Sequence, residues 1–323
     1  MKRIGVLTSG GDGPGLNPCI RAVTRTALSL GMDVCGIRRG FAGLMDGEVV
    51  DLNDRSVGGI LGKGGTFLGT ARAPEFKTLK GQREALRNLN QAAVEGLVVI
   101  GGNGSLSGAL ALHKLGFPVV NVPATIDNDV GGTDIAIGVD TARNTILDAV
   151  DKIKDTASSH QRAFLIEVMG RDCGYLALMG GVAGGAEAVL IPEVETSLED
   201  LAQTMVDAYI RGKSHCIVIV AEGYKPGTPA IVQYLKERRK ELGFDVRVTV
   251  LGHVQRGGRP SAFDRLLATR LGAAAAQALH DGKAGNVVGL VGNQVTLTPM
   301  EEAFASPPEI DMELYKLAKI MER

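Results

Sequence analysis

The sequence predicts an α/β protein with two lobes, each built on a mostly parallel sheet covered by helices on both faces. Short apolar runs alternate with helical patterns along most of the 323 residues, which indicates parallel strands joined by helices. The 44 glycines concentrate in clusters directly after the apolar runs, as in the turns of Rossmann-like folds. No Pro- or Ser-rich linker separates the two halves.

The elements follow in order along the chain. Predicted strands are short apolar runs at 4–7, 34–37, 97–100, 118–122, 164–168, 188–191, 216–220, 246–251 and 287–290. Predicted helices are 18–30, 81–94, 105–115, 138–156, 174–184, 197–211, 228–242, 262–279 and a terminal helix from 312. Residues 41–52 are predicted as a short hairpin, and Asn17 as the N-cap of the first helix.

The composition excludes several classes of protein. The formal net charge is −1 with acids and bases interspersed, so we expect neither nucleic acid nor an anionic membrane as a partner. The four cysteines show no metal-ligand or C-x-x-C spacing, which favours free thiols in a reducing compartment. A signal peptide and a run of membrane-spanning length are both absent from the sequence. A cytoplasmic location follows as the expectation.

Glycine-rich turns follow several predicted strands and supply backbone N–H groups. Two of them, 8–15 and 101–105, lead into helix N-termini, which attract anions. Another ends in Arg72, which taken alone is most simply a solvated loop charge. The first turn lacks the spacing of the dinucleotide fingerprint, because its glycines are at 10, 11, 13 and 15. The end of the second predicted strand also carries Arg38 and Arg39 where that fingerprint requires an acid. A nicotinamide oxidoreductase therefore has little support.

The stretch 123–129 follows the predicted strand 118–122 and carries Thr125, Asp127 and Asp129. The carboxyl end of a strand is where ligands bind in open α/β sheets. Two ionised carboxylates one residue apart repel each other, so such a pair is usually held by a cation, a metal or a proton to be moved. The alternative is a turn in which Asp and Asn cap the next helix.

Short right-handed connections would bring the turns that follow strands to one edge of the sheets. The residues expected at this edge are Gly11, Arg72, Gly104, Asp127, Asp129, Arg171, Glu222, His253 and Arg256. Backbone N–H groups and arginines hold phosphate oxygens, Mg²⁺ bridges these oxygens to carboxylates, and one carboxylate accepts the proton of the attacking hydroxyl. The set therefore predicts phosphoryl transfer.

Several segments carry a family resemblance, and they are 5–12, 14–15, 64–69, 71–72, 125–129, 158–162, 167–171 and 250–258. In these segments the chain resembles the bacterial-type 6-phosphofructokinases, over nearly its whole length. The resemblance implies that ATP phosphorylates the 1-hydroxyl of fructose 6-phosphate, with Mg²⁺ as cofactor. It also implies a nucleotide-binding lobe of 1–138 with part of the C-terminal region, a sugar-phosphate-binding lobe of 139–255, and a segment 256–323 that returns to both.

The resemblance further implies a role for each matching residue. Asp127 would be the base for the sugar hydroxyl, Thr125 and Asp129 would support the transferring phosphate and its magnesium ion, and Arg171 and Gly11 would lie near the phosphates. The nucleotide and its metal would be bound by Gly11, Arg72, Ala73, Gly102, Asn103, Gly104 and Ser105, with Asn103 and Asp129 as metal ligands. The sugar phosphate would be bound by Thr125, Asp127, Met169, Gly170, Arg171, Glu222, His253 and Arg256, and by Arg162 and Arg247 from a neighbouring subunit. The resemblance therefore also implies a homo-oligomer, which in this family is most often a tetramer.

Two positions near the expected nucleotide depart from the family pattern. Asn103 replaces an acid, so it keeps a carbonyl oxygen but loses a charge, which predicts slow turnover or an altered magnesium requirement. Gly104 matches ATP users, whereas pyrophosphate users carry an acid there; Ala124 matches neither type. A pyrophosphate-dependent enzyme and a catalytically weak family member that binds ligands or assembles with an active subunit are the alternatives.

The family's effector pocket, which binds a nucleoside diphosphate or phosphoenolpyruvate, is only partly present. Its expected residues are Arg21, Arg25, Lys154, Glu187, Arg211, Lys213 and His215. Asp54 and Ser214, however, stand where basic residues are common. Because an acid at position 54 disfavours an anion, we expect weakened or changed allosteric control.

Overall fold

The computed structural model describes residues 1–322. Its strands are β1 (Arg3–Thr8), β2 (Asp33–Ile37), β3 (Val49–Leu52), β4 (Gly96–Gly101), β5 (Val119–Pro123), β6 (Arg162–Val168), β7 (Ala188–Leu190), β8 (Cys216–Ala221), β9 (Asp245–Val250), β10 (Asn286–Val291) and β11 (Gln294–Pro299). Its helices are α1 (Leu16–Ser29), α2 (Gly40–Asp46), α3 (Leu79–Gln91), α4 (Asn103–Lys114), α5 (Val139–His160), α6 (Tyr175–Gly184), α7 (Leu198–Ile210), α8 (Thr228–Glu237), α9 (Arg239–Leu242), α10 (Ala262–His280), α11 (Met300–Ala305) and α12 (Met312–Met321). Across residues 1–322, every helix is too short or too polar to span a membrane.

The chain divides into two compact units. The first comprises Met1–Thr141 and Arg256–Pro308, and the second comprises Ala142–Gln255 and Glu309–Arg323, of which Arg323 lies outside the described residues. The family resemblance implies boundaries after 138 and 255, and the contacts divide the chain after 141, 255 and 308.

The first unit contains a seven-stranded sheet in the order β11-β10-β5-β4-β1-β2-β3. Its central strands are parallel, whereas β3 and β11 at the two edges run antiparallel to their neighbours. The register pairs Thr8 with Ile100 and Gly101 with Pro123. The carboxyl ends of β1, β4 and β5 therefore lie side by side, and the turns that follow them start next to each other.

Helices cover both faces of this sheet, as the sequence predicts. Helices α1 and α10 pack together, and Ile20, Val23 and Leu271 belong to the buried core on that side. Helices α2 and α4 contribute Leu44 and Leu106 to a second buried cluster. A strand that is buried on both faces has apolar residues along nearly its whole length. The apolar runs in the sequence therefore predicted where these strands lie.

The second unit contains a four-stranded, fully parallel sheet in the order β7-β8-β6-β9. Every residue of β8 is buried. The carboxyl ends of β6 and β8 adjoin because Val168 pairs with Ala221. Strand β9 lies at an edge, where Val248 and Val250 are 39% and 59% exposed.

Some predicted elements are wrong. Residues 41–52 form α2 followed by β3 and not a hairpin, because the chain turns at Gly40, with a φ of +63°, directly into a helix. The predicted helix 228–242 is interrupted and forms α8 and α9. Strand β11 and helix α11 were not predicted, although Gly292 and Asn293 between β10 and β11 both have positive φ, as a two-residue hairpin turn favours.

Candidate active site

The carboxyl ends of β1, β4 and β5 bring the predicted loops of the first unit together. The N–H of Ser9 donates to the carbonyl of Ile100 at 3.0 Å, and the N–H of Ala124 donates to the carbonyl of Gly101 at 3.1 Å. A side chain placed on Gly102 would have its Cβ 3.3 Å from the Cβ of Thr125. The loop containing Gly11, the start of α4 and the turn 124–129 are thus neighbours.

The turn 124–129 has a fixed conformation. Its Asp127 is only 4% exposed, and the N–H of Asp127 donates to Oγ1 of Thr125 at 3.2 Å. Asn128 has a φ of +53°, and its side chain donates to the carbonyl of Asp134 and accepts from the N–H of Ala136. An asparagine suits this left-handed position, because its short polar side chain can bond locally. The turn therefore holds the Asp127 carboxylate at a defined place before any ligand binds.

Asn103 and Asp129 lie against each other where α4 begins. The Nδ2 of Asn103 donates to the backbone carbonyl of Asp129 at 3.0 Å. The Oδ1 of Asp129 is buried and has no hydrogen-bond partner among residues 1–322. Among the described residues, no group of three or more His, Cys, Asp or Glu side chains is arranged so that it could hold a metal ion. An orphaned carboxylate oxygen beside an amide fits Mg²⁺, which binds few protein ligands and completes its shell with phosphate oxygens and water.

Gly104, the second residue of α4, faces open space. A side chain placed there would meet no heavy atom within 4 Å. The first N–H groups of a helix lack intrahelical partners and carry partial positive charge, so they attract an anion. The buried hydroxyl of Ser105 also has no partner among the described residues. Positions 102–105 can therefore accept phosphate oxygens without steric obstruction at Gly104.

The glycine turn that ends in Arg72 and Ala73 is tied to the end of β1. Thr8 shares a 2.7 Å hydrogen bond with the hydroxyl of Thr66 and donates to the carbonyl of Gly69 at 3.0 Å. Thr70 donates to the carbonyl of Gly10 at 2.8 Å. Arg72 itself is exposed. An exposed cation is thus carried on an anchored loop.

Asn17 does not cap α1, so that prediction is wrong. The N-cap is Gly15, with a φ of +103°. The buried Asn17 side chain instead donates to the carbonyls of Lys63 and Gly64, at 3.1 and 3.2 Å, and accepts from the N–H of Phe67 at 2.6 Å. Asn17 is therefore a clamp for the glycine turn, and no local pattern reveals it because its partners lie 46 to 50 residues away.

Arg256 approaches the first glycine loop within the first unit. A Cβ placed on Gly11 would lie 2.1 Å from Nη1 of Arg256, which no real Cβ could tolerate. Position 11 therefore requires glycine as long as this guanidinium stays in place. The contact puts a cation beside a loop that the sequence assigns to phosphate.

In the second unit, Glu222 organises the turn that follows β6. Its Oε1 accepts from the N–H of Gly170 at 3.3 Å and from the N–H of Arg171 at 2.9 Å. Arg171 has a φ of +52°, a conformation that L-residues rarely adopt. The carbonyl of Arg171 packs so closely on Gly223 that a Cβ there would lie 1.9 Å from it. Met169, Gly170, Arg171 and Glu222 are thus brought together.

Gln255 is a site residue that the sequence patterns missed. It is fully buried in the turn that contains the exposed His253. Its Oε1 accepts from the N–H of Met169 at 3.2 Å, and its Nε2 donates to the carbonyl of Gly252 at 3.0 Å. In the sequence, Gln255 is visible as a glutamine in a turn bounded by glycines. Nothing there identifies Met169 as its partner, because Met169 lies 86 residues away.

Arg162 and Arg247 do not lie with the other predicted sugar-phosphate residues of the second unit. Arg162 begins β6, and Val168 ends it, which separates them by about 20 Å at the rise of a β-strand. Arg247 pairs with Phe164 in the neighbouring strand β9. Both arginines are therefore remote from Met169 within the same unit.

Most of the predicted effector residues lie against other side chains or backbone groups. In the second unit, Nζ of Lys213 lies 3.1 Å from Oε1 of the buried Glu187. Arg211 and Lys213 both donate to the backbone carbonyl of Glu322, at 3.4 and 3.2 Å. His215 shares a hydrogen bond with Ser158, and Lys154 has its Nζ near Gly185. In the first unit, Arg21 and Arg25 are both on α1, and Nε of Arg25 lies 3.6 Å from Oδ1 of Asp54.

These features define an α/β protein whose strand ends carry glycine turns, cations and carboxylates, the arrangement expected for phosphoryl transfer. Residues 3–279 match the family described as phosphofructokinase. An ATP-dependent 6-phosphofructokinase of Shouchella clausii (strain KSM-K16) is 51% identical over 319 residues, covering 99% of both chains. The enzyme of that name from Thermotoga neapolitana is 50% identical over 322 residues, covering 99% of this chain and 100% of its own.

Two solved phosphofructokinase structures are also similar to this chain. Pichia pastoris phosphofructokinase in the T-state has a TM-score of 0.89 and 37% identity over 99% of this chain, which spans only 36% of that protein. A pyrophosphate-dependent phosphofructokinase from Marinobacter aquaeolei has a TM-score of 0.85 over 97% of this chain and 86% of its own, but 23% identity, a likeness of fold alone. The chain belongs to the phosphofructokinase family.

Proposed function

We propose that the protein transfers the terminal phosphoryl group of ATP to the 1-hydroxyl of fructose 6-phosphate. The observation that carries the proposal is the fixed turn with Asp127 beside the open helix start at Gly104. The relatives at about half identity, which carry the name ATP-dependent 6-phosphofructokinase, support the same donor and acceptor. The products are fructose 1,6-bisphosphate and ADP, which places the reaction in glycolysis.

In this proposal, Asp127 accepts the proton of the sugar 1-hydroxyl as its oxygen bonds to the phosphorus, and the bond from phosphorus to ADP breaks. Thr125 orients the turn through its bond to the N–H of Asp127. Gly11, Arg72, Ala73 and positions 102–105 bind the nucleotide. Preorganised N–H groups and cations stabilise charge that develops on the phosphoryl oxygens.

Asn103 and Asp129 would hold magnesium through the amide oxygen and the orphaned carboxylate oxygen. When bound, Mg²⁺ neutralises charge on the phosphates of the donor. A single protein carboxylate makes this a weak site, so the affinity for magnesium depends strongly on the nucleotide that accompanies it.

The experiment is a direct assay of the purified chain with fructose 6-phosphate and ATP, GTP or pyrophosphate in parallel. We expect fructose 1,6-bisphosphate to form with ATP and not with pyrophosphate. If product formed only with pyrophosphate, the donor would be pyrophosphate and not ATP. Absence of product with every donor, from a folded oligomer, would favour the catalytically weak family member.

We further propose that Met169, Gly170, Arg171, Glu222, His253 and Arg256 bind the sugar phosphate together with Arg162 and Arg247 of a neighbouring copy. Support comes from the remote position of Arg162 and Arg247 within their own unit, and from the exposed valines of the edge strand β9. Exposed apolar side chains on an edge strand suit an interface between copies. The expected assembly is a homotetramer.

Subunit complementation tests this sharing. Arg162→Ala removes the arginine lent to a neighbour, and Asp127→Asn removes the base of the subunit's own site. Each variant alone should be nearly inactive, whereas mixed oligomers should regain activity because some sites then combine an intact Asp127 with an intact Arg162. A monomer by light scattering, or no recovery in verified mixed oligomers, would contradict the proposal.

Allosteric control is proposed to be weakened or changed. The ion pair of Arg25 with Asp54 neutralises one cation of the expected effector set, and Lys213 is already paired with Glu187. Steady-state rates with ADP and with phosphoenolpyruvate decide this point, and strong activation by the diphosphate would refute it. A reducing location such as the cytoplasm is proposed as well, supported by the absence of a disulfide among the described residues.

A further inference from the structure

Asp264, on α10 in the first unit, is a buried carboxylate that no proposed step uses. It is 0% exposed. Its Oδ1 accepts from the N–H of Gly138 at 2.9 Å, and its Oδ2 accepts from the N–H and the hydroxyl of Thr141, at 2.8 and 2.5 Å. Burial raises the pKa of this carboxyl, while the bonds from Thr141 and Gly138 oppose the rise. A buried charge is tolerated only when it is well hydrogen-bonded, and Asp264 meets this condition.

The bonds join the N-termini of two long helices. Ser261 caps α10 by accepting from the N–H of Asp264 at 3.1 Å, and its hydroxyl donates to Oδ2 of Asp140 at 2.6 Å. The N–H of Ser261 donates to the hydroxyl of Thr141 at 2.9 Å. Asp264 therefore acts as an N-cap for α5 from outside that helix, and a negative charge there is favoured by the helix dipole.

The start of α5 is also the support of the turn 124–129. Ile137, directly before Gly138, donates its N–H to the carbonyl of Pro123 and accepts from the N–H of Thr125, both at 3.1 Å. One residue earlier, the N–H of Ala136 donates to the side chain of Asn128. A displacement of Gly138 is thus transmitted to both sides of Asp127.

The first glycine loop meets the same support. Gly15 has a φ of +103°, and a Cβ there would lie 2.4 Å from Ile137 and 3.8 Å from the Cβ of Asp264. The turn of Pro14 and Gly15 therefore packs where Asp264 fixes the start of α5. Two of the loops assigned to phosphoryl transfer share this one anchor.

We propose that Asp264 is a positioning residue for catalysis: by holding Gly138 and Thr141 it fixes the segment 136–138, which sets the place of Asp127. This role rests on the proposed function. Asp264 touches no substrate, so its loss should reduce turnover and leave substrate binding nearly unchanged. Small displacements of reacting groups can cost roughly 100-fold in rate.

The test compares Asp264→Asn, Thr141→Val and the conservative Thr141→Ser. An asparagine keeps the shape but turns an N–H toward the N–H of either Gly138 or Thr141, and valine removes the hydroxyl. We expect kcat to fall about 10- to 100-fold in Asp264→Asn and about 10-fold in Thr141→Val. The KM for ATP and for fructose 6-phosphate should change less than about twofold, and Thr141→Ser should recover most of the rate.

A stability control separates positioning from general damage. Ile20→Val shortens a fully buried side chain of the same core that makes none of these hydrogen bonds, and it should lower Tm without lowering kcat. Hydrogen exchange gives a readout that needs no activity: Asp264→Asn should speed exchange of the amides of Thr125 and Ile137, and Ile20→Val should not.

The possible failures are distinguishable. An inactive wild type contradicts the proposed function, and the exchange rates then decide whether Asp264 holds the turn. An active wild type with unchanged kcat in Asp264→Asn overturns the positioning role. The positioning role is also overturned if Ile20→Val, at an equal loss of Tm, loses as much turnover as Asp264→Asn.

Discussion

The side-chain amide of Asn103 donates a 3.0 Å hydrogen bond to the backbone carbonyl of Asp129. The bond joins the first residue of α4 to the last residue of the turn that carries Asp127. It also fixes the amide orientation, since Nδ2 is committed to the carbonyl and Oδ1 is left as an acceptor. The asparagine therefore exchanges a carboxylate charge for a bond that an aspartate could not make.

Asn103→Asp should tighten magnesium binding and raise turnover, because a second carboxylate joins Asp129. It should also lower stability by about 1 kcal/mol, since the carbonyl of Asp129 loses its donor. Rates against free magnesium and thermal unfolding measure the two effects separately. Asn103→Ala is the control and should weaken both magnesium binding and stability. If turnover and magnesium affinity stay flat or fall in Asn103→Asp, the account of this site is wrong.

Gly104→Asp should impair use of ATP without unfolding the protein. The position is open, and an acid in the first turn of α4 is favoured by the helix dipole by about 0.3–1 kcal/mol. The same charge repels the phosphates of the nucleotide, so the KM for ATP should rise at least about 10-fold. Gly104→Ser, which adds atoms without charge, should raise it much less. Equal KM values for both variants would place the nucleotide elsewhere.

Asn17→Asp should destabilise the protein by about 1–3 kcal/mol, because a carboxylate oxygen would face the carbonyls of Lys63 and Gly64. The KM for ATP should rise as well, since the clamped turn leads to Arg72. Asn90→Asp on the exposed face of α3 introduces the same charge change and should alter neither quantity. Thermal unfolding and steady-state kinetics provide the comparison. A Tm equal to that of wild type would refute the clamp.

The thiols should differ sharply in reactivity. Cys19, Cys35 and Cys216 are buried, and burial raises the pKa of each, so the reactive thiolate is scarce and inaccessible. Cys173 is partly exposed. Iodoacetamide at pH 8 followed by peptide mass spectrometry should modify Cys173 alone in the folded protein and all four thiols after denaturation. Rapid labelling of Cys19 in the native state would contradict the buried core.

Local patterns predicted the parts of the site that are local. The turn with Asp127 and the start of α4 follow apolar strands and carry their own turn residues, so strand position and turn chemistry located them. Glycines in the segment from Gly40 obscured the helical period of α2, and a hairpin was predicted there instead.

Residues that act through distant partners could not be found in this way. Gln255 and Asp264 bond to groups 86 and more than 120 residues away, and nothing in their neighbouring sequence specifies those partners. A glutamine in a turn and an aspartate three residues after Ser261 have ordinary local explanations, the second as part of a helix start. Only the packing of the strands and helices shows what these side chains hold.

The most direct test of the central claim is the rate of Asp127→Asn with ATP and fructose 6-phosphate. The amide keeps the size of the side chain but cannot accept the proton of the sugar hydroxyl, so kcat should fall by roughly two to four orders of magnitude. Binding of fructose 6-phosphate, measured by calorimetry, should stay close to that of wild type. A kcat near the wild-type value would contradict the assignment of Asp127 as the base.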